Sequence, residues 1–322
     1  MKTGLYWLRL SGTGVLLGWV FYVLDWQAMF DTLAGISLLL FLTALVISAL
    51  TTVAARAVLV WLLVDPDERP PLIRCVETYF SLRFFSVALP RPIVVGLRIR
   101  RLNTLCGKST AFAIGLMTYE ALSGALIMAF GAALFYLLQT DRISWSPVIP
   151  YVFLCLLGLV ASFALLFTRR LDLLINRLLT LLPPQSRIRT RMQSGLKFWR
   201  DTVGGFIRRG RSTLVTTLVF AIIFYAGFIL SAYVLYLAMG TSLPPAELAW
   251  SRSAVWLITV LPISIGGLGV REVGLAFVMA DFGVDFETAV AYGFLSFILQ
   301  TMTGLLGGIV EIKDAFVSGS QR

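Results

Sequence analysis

The chain has 322 residues, of which 58% are hydrophobic and 14% charged, with a mean hydropathy of +0.86 and a formal net charge of +10. That balance excludes a soluble globular domain and places the chain in a membrane, where about 20 residues per helix allow roughly six to eight crossings and leave little for a separate catalytic module. Histidine is absent, which removes the commonest general base and metal ligand. Cys75, Cys106 and Cys155 lie far apart without a C-x-x-C pair, so they read as apolar filler, and no metal or other cofactor is expected.

In chain order, apolar runs predict helical spans near 10–28, 34–64, 110–138, 148–168, 213–239 and 288–311. The first contains Val15 to Leu24 behind Lys2 and Arg9 and lacks a small-residue cleavage site, so it reads as an uncleaved span. Two further apolar segments, near 78–98 and 251–280, are broken by proline and glycine. A helix running through Leu89-Pro90-Arg91-Pro92 is disfavoured, because proline lacks a backbone donor and pushes the preceding residue out of the helical region. The same holds at Pro262, followed by Gly266, Gly267 and Gly269. Irregular backbone at membrane depth survives only where protein buries it or it lines a cavity, which predicts two re-entrant or broken-helix segments.

These broken segments resemble each other. Leu89-Pro90 leads to Gly96-Leu97-Arg98-Ile99-Arg100, and Leu261-Pro262 leads to Gly267-Leu268-Gly269-Val270-Arg271; each precedes a run opening Thr-Ala-x-Ala-x-Gly, at Thr110 and at Thr288. The expected organisation is one transmembrane domain over 1–322, with repeat halves near 34–138 and 213–311 joined by a connection near 169–211. A broken hydrophobic segment recurring in two halves is a pointer to a transporter's substrate site.

Charge predicts the orientation. The stretch from Arg169 to Arg211 is crowded with Arg and Lys, opposed only by Asp172 and Asp201, whereas Gly240 to Trp250 has no basic residue. By the positive-inside rule the connection and both termini are cytoplasmic. The first motif, followed by Arg98, Arg100, Arg101 and Lys108, then enters from the inside. Three spans later the second enters from the outside, beside Glu247, Asp281, Asp285 and Glu287. The result is an inverted-topology repeat in an all-α polytopic membrane protein. Within the connection, apolar residues at helical spacing on either side of Pro183-Pro184 predict two amphipathic helices whose basic residues suit anionic headgroups, with no nucleic-acid role.

Charged residues inside spans cost free energy and are functional candidates. Arg56 lies in the second run and Glu120 in the third, placed to pair. Gly266, Gly267 and Gly269 let backbone bend and approach a ligand, and the following helix start favours an anion. Arg271 offers a fork of donors for phosphate, with Glu272 to balance it. In the first copy Arg100 stands opposite Arg271, with Arg83 and Arg91 nearby. No catalytic set appears: Glu272 is the one base in the broken segments, so an enzyme is not expected.

The pattern Pro262-x-x-x-Gly266-Gly267-Leu-Gly269-x-Arg271-Glu272, followed by a helix closing on Gly304 to Glu311, resembles the lysylphosphatidylglycerol synthase transmembrane-region family, the flippase-like domain proteins. The likeness includes Arg56, Leu89-Pro90 and Glu120. It implies a bacterial inner-membrane protein that moves an anionic phospholipid or polyprenyl-phosphate-linked lipid between leaflets, of the stand-alone kind without a soluble aminoacyl-transferase domain. An alternative is an accessory subunit docking a cytoplasmic glycosyltransferase or lipid synthase through the basic connection; a homo-oligomer is also compatible. No G-x-x-x-x-G-K-[ST] loop occurs, so transport would be downhill or ion-coupled.

Overall fold

The computed structural model describes residues 18–20, 22–64, 66–89, 91–139, 148–167, 211–260, 267 and 269–319, and among them every regular element is a helix. The expected amphipathic connection, the residues before 18, Pro90, Pro262, Gly266 and the loop around Asp141 lie outside the described residues. Among the described residues four helices are long and apolar enough to cross a membrane: Leu38–Leu63, Thr110–Leu137, Val215–Ala238 and Phe286–Lys313. The protein is therefore a helical, multi-pass membrane protein.

Helix α1 spans Trp26–Ala34. Here the sequence expectation of a run through 28 is corrected: Leu24 and Asp25 are not helical, because the Asp25 carboxylate accepts the amides of Gln27 (2.9 Å) and Ala28 (3.2 Å) and starts a new helix. Helix α2, Leu38–Leu63, carries a π-helical segment at Ala49–Ala54. The Thr51 and Thr52 hydroxyls donate back to the carbonyls of Ile47 and Ser48, at 2.7 and 2.6 Å, within that segment. One wide turn re-aims the residues that follow it, and Arg56 is among them.

Helix α3, Leu72–Ala88, ends at Leu89, whose extended backbone (φ −121°, ψ 150°) is what a residue before proline adopts. Helix α4, Arg91–Cys106, takes Pro92 into its first turn, where no amide is needed. Gly107 (φ 61°) turns the chain into α5, Thr110–Leu137. Helices α6 (Val148–Phe167) and α7 (Arg211–Ala238) follow. Then come α8 (Pro245–Val260), α9 (Val270–Ala280) and α10 (Phe286–Gly319). Asp285 caps α10 by accepting the Thr288 amide at 2.9 Å. Partial burial pushes its carboxyl up, but the hydrogen bonds from Thr288 outweigh this and hold it below the usual carboxylate range. The cap is accordingly fully present above about pH 4 and is lost as pH falls through the lowered value.

The chain divides into two compact units. The first comprises 1–52, 127–156 and 225–303. In it α8 packs on α9, and Trp250 and Tyr292 are fully buried. Tyr136 packs against Trp250 (5.4 Å) and Tyr236 against Tyr292 (5.5 Å), while the Ser231 hydroxyl donates to the Ala44 carbonyl (2.9 Å). The second comprises 53–126, 157–224 and 304–322. Its core gathers Val60, Leu63, Cys75, Leu102, Leu116 and Tyr119, with Cys75 and Cys106 as buried free thiols.

Within the second unit the end of α10 is fastened to α3 and α4. Arg101 grips Glu311 with both fork nitrogens (2.7 and 3.0 Å), Ser81 also donates to Glu311, and Lys313 donates to Glu77 at 2.7 Å. The approach is close because Gly304, Gly307 and Gly308 face α3; a Cβ at Gly307 would run into the Phe80 carbonyl. Small residues at such a contact are how helices associate where lipid is as apolar as leucine. Gly307→Val should therefore destabilise the protein by about 1–3 kcal/mol through overpacking, read as a lowered midpoint of thermal unfolding in detergent. Gly158→Ala, whose new methyl would meet nothing within 4 Å, should leave the midpoint unchanged.

Candidate functional site

In the second unit three helices bring polar side chains to one carboxylate on a fourth. Glu120, midway along α5, is 8% exposed. Its Oε2 pairs with the Arg98 guanidinium from α4 and accepts the Tyr79 hydroxyl from α3 at 3.1 Å. Arg98 also donates to the Tyr79 oxygen at 3.2 Å, so the three groups close a ring of charge-assisted bonds. Oε1 faces Arg56 of α2, whose Nε stands 3.6 Å away, an ion pair too long for a hydrogen bond. The Arg56 guanidinium lies 4.3 Å above the Phe224 ring of α7. Arg83, one helical turn beyond Tyr79 on α3, is within electrostatic reach of Arg56, and its Nε and that of Arg98 are buried without an acceptor. Beside the cluster a recess is lined by Arg56, Glu120, Ser123, Gly124, Phe220 and Phe224.

The first unit holds a second buried group. Gly269 has φ 78°, a conformation glycine adopts without strain, and starts α9. Its amide donates to Glu272 Oε2 at 2.8 Å, while Glu272 Oε1 accepts the Arg271 Nε at 3.0 Å and pairs with the same guanidinium through a second nitrogen. Gly267 (φ 80°) accepts the Arg271 amide at 2.9 Å through its carbonyl. Arg271 lies 5.6 Å over Phe297. Arg252 of α8, 8% exposed, sits between the rings of Phe228 (4.8 Å) and Tyr292 (5.4 Å). It makes one long contact to the Ser296 hydroxyl (3.4 Å), and its Nε has no acceptor.

Of the residues singled out in the sequence, Arg56 and Glu120 do pair, and Arg83 is within electrostatic reach of Arg56. Arg271, Glu272, Gly267 and Gly269 form one structure at the start of α9. Arg100 is exposed and joins no ion pair among the described residues; Arg98 stands in its place. Sequence reasoning missed Arg98, Tyr79 and Arg252. The signal for Arg98 was present: two residues along a helix is a rotation of about 200°, so Arg98 and Arg100 cannot both face α5. Among the described residues no group of three or more Cys, Asp or Glu side chains converges on a point where a metal could sit. What the site offers a ligand is guanidinium donors.

A bundle of apolar helices with arginines and glutamates buried inside it defines a polytopic membrane protein with an internal, cationic polar site. The chain belongs to the lysylphosphatidylglycerol synthase TM region family, whose profile matches residues 6–308. Comparison with curated proteins and with solved structures gave no match.

Removing one member of a buried charge pair costs more than removing both, by about 3–5 kcal/mol against little or nothing. Glu120→Leu should thus lower the unfolding midpoint in detergent steeply. Arg98→Met combined with Glu120→Leu should recover part of that loss; a double variant no more stable than Glu120→Leu would contradict the pairing.

Proposed function

We propose that the protein is a bacterial inner-membrane translocase for an anionic lipid, a phospholipid or a polyprenyl-phosphate-linked lipid, and that it performs no covalent chemistry on it. The observation that carries this reading is the surplus of guanidinium groups over carboxylate at Glu120: Arg98 pairs with it, Arg56 faces it at 3.6 Å, and Arg83 stands within electrostatic reach of Arg56. Charges at membrane depth are costly unless compensated, so a surplus of one sign is a seat for a ligand of the other. Family membership supports a role with membrane lipids.

In this reading about six helices span fully, the two hairpins broken at Leu89-Pro90 and at Pro262 to Gly269 are re-entrant, and the halves near 34–138 and 213–311 form an inverted repeat with both termini in the cytoplasm. The headgroup phosphate exchanges water for arginine forks, while the acyl or prenyl tail stays in lipid. In the second unit Arg56, Arg83 and Arg98 grip the phosphate, with Arg100 as a further contact; in the first unit Arg271 offers a guanidinium fork of its own. Glu120 and Glu272 hold the guanidinium groups in place between ligands. Pro262, Gly266, Gly267 and Gly269 give the second hairpin a backbone that a headgroup can approach closely.

Reconstituted proteoliposomes containing a fluorescent phosphate-bearing lipid test the proposal through the rate at which outer-leaflet quencher removes the signal. Wild-type protein should accelerate exchange. Arg98→Gln and Arg271→Ala should each slow it about tenfold or more, the worth of a charge-assisted contact. Exchange at the wild-type rate in both variants would remove the arginines from the mechanism.

A further inference from the structure

Two arginines of the first unit, Arg252 and Arg271, are each 8% exposed. Arg271 holds Glu272 with two nitrogens, whereas Arg252, in the middle of α8, has no carboxylate at ion-pair distance among the described residues. Its one hydrogen bond there is the 3.4 Å contact to the Ser296 hydroxyl, and its Nε is enclosed without an acceptor. The neighbouring hydroxyls of α8 are engaged elsewhere: Ser251 donates to the Glu247 carbonyl at 2.9 Å, and Ser253 is bonded to the Tyr225 hydroxyl at 3.0 Å. The rings of Phe228 and Tyr292, 4.8 and 5.4 Å away, offset part of the charge but leave the Nε–H without an acceptor. Arginine cannot shed its proton, so a buried donor left open in this way is costly.

Helix α10 fixes where this donor stands. Tyr292 and Ser296 meet Arg252, and Ser296 is itself 2% exposed. A Cβ at Gly293 would stand 3.3 Å from Glu272 Cγ, and Phe297 faces Arg271 at 5.6 Å. Residues 292 to 297 make about one and a half helical turns, so α8 and α9 bring their arginines to the same stretch of α10. Arg271 is closed by its own glutamate; Arg252 is not. We propose that Arg252 and the Ser296 hydroxyl form a seat for a single phosphate oxyanion, the phosphodiester of a lipid headgroup or a free phosphate. The proposal rests on the anionic-lipid reading above and adds to it a residue of the first unit that the reading does not use. The Arg252 Nε–H supplies one charge-assisted bond. Ser296 has a proton to give besides the lone pair that it offers Arg252, so an oxyanion meets two donors at one place.

The test is thermal unfolding of the full-length protein in a neutral detergent, with phosphatidylcholine, phosphatidylglycerol or inorganic phosphate added. A ligand that binds the folded state raises the midpoint. Wild-type protein should unfold at a higher midpoint with phosphatidylglycerol than with phosphatidylcholine. Arg252→Met puts an apolar chain of similar length between the rings and removes a buried charge that lacks a partner, so in phosphatidylcholine its midpoint should equal or exceed the wild type's. Its increment from phosphatidylglycerol should fall by about half or more, because the seat no longer binds. Ser296→Ala should lower the increment too, and Arg252→Lys should keep more of it than Arg252→Met. A purely structural Arg252 gives the opposite pattern, a lowered midpoint for Arg252→Met with the increment intact; that overturns the seat and leaves the anionic-lipid reading standing. No increment from either addition in the wild type overturns both. An increment from inorganic phosphate equal to that from phosphatidylglycerol, and lost in Arg252→Met, supports the seat and gives it to free phosphate rather than to a headgroup. Should Arg252→Met not fold, Ser296→Ala and Arg252→Lys decide: wild-type increments in both overturn the seat.

Discussion

The arrangement around Glu120 depends on how little negative charge is available to hold so many arginines. A single carboxylate on α5 is the point on which α2, α3 and α4 converge, through Arg56, Tyr79 and Arg98. Away from bulk water an arginine cannot shed its proton, so it must find an acceptor or a π face. Glu120 supplies acceptors for Arg98, and Phe224 supplies a face for Arg56. The same four helices also share an apolar core, in which Val60, Leu63, Leu102 and Leu116 pack with the ring of Tyr79. Those contacts define the helix faces, and the polar bonds define their register, which apolar packing alone specifies poorly.

Backbone bookkeeping imposes the second constraint. A helix broken in the membrane exposes amides and carbonyls that water cannot reach. At the start of α9 the debt is settled locally. Gly267 accepts the Arg271 amide, Gly269 accepts the Val273 amide, and Glu272 reaches back to the Gly269 amide. The π-helical turn in α2 is tolerated for the same reason, since its threonine hydroxyls bond back to carbonyls one turn earlier. Both devices sit directly before an arginine, the buried Arg271 in one case and the half-buried Arg56 in the other. Irregular backbone is thus found where a guanidinium has to be aimed inward.

Much of this was legible in the sequence, for identifiable reasons. The apolar runs near 34–64, 110–138, 213–239 and 288–311 correspond to helices because spanning length is dictated by lipid thickness rather than by neighbours. Leu89 before Pro90 marked a helix end because proline acts locally. What escaped was set by partners. Arg98 rather than Arg100 faces Glu120 because α4 begins at Arg91, and helix phase decides which of two nearby arginines turns inward. Arg252 carries no motif and is defined by Phe228 and Tyr292, which come from other helices. Asp25 was hidden inside an apolar run, where its capping of α1 outweighs the run's continuity.

The two broken segments also exchange the roles that their composition suggests. The glycine-rich copy resembles an anion-binding loop, yet its helix start is already occupied by an anion of its own. Glu272 takes the Gly269 amide and the Arg271 fork together, so a ligand phosphate there must displace a carboxylate that is covalently present at high effective concentration. The glycine-poor copy has no such loop, but Arg83 and Arg98 each keep a buried nitrogen without an acceptor, as does Arg252 in the first unit. Donor capacity left over after internal pairing, rather than glycine content, is what separates the two clusters. By that measure the Glu120 cluster keeps an open donor on Arg98, whereas Arg271 and Glu272 largely satisfy each other.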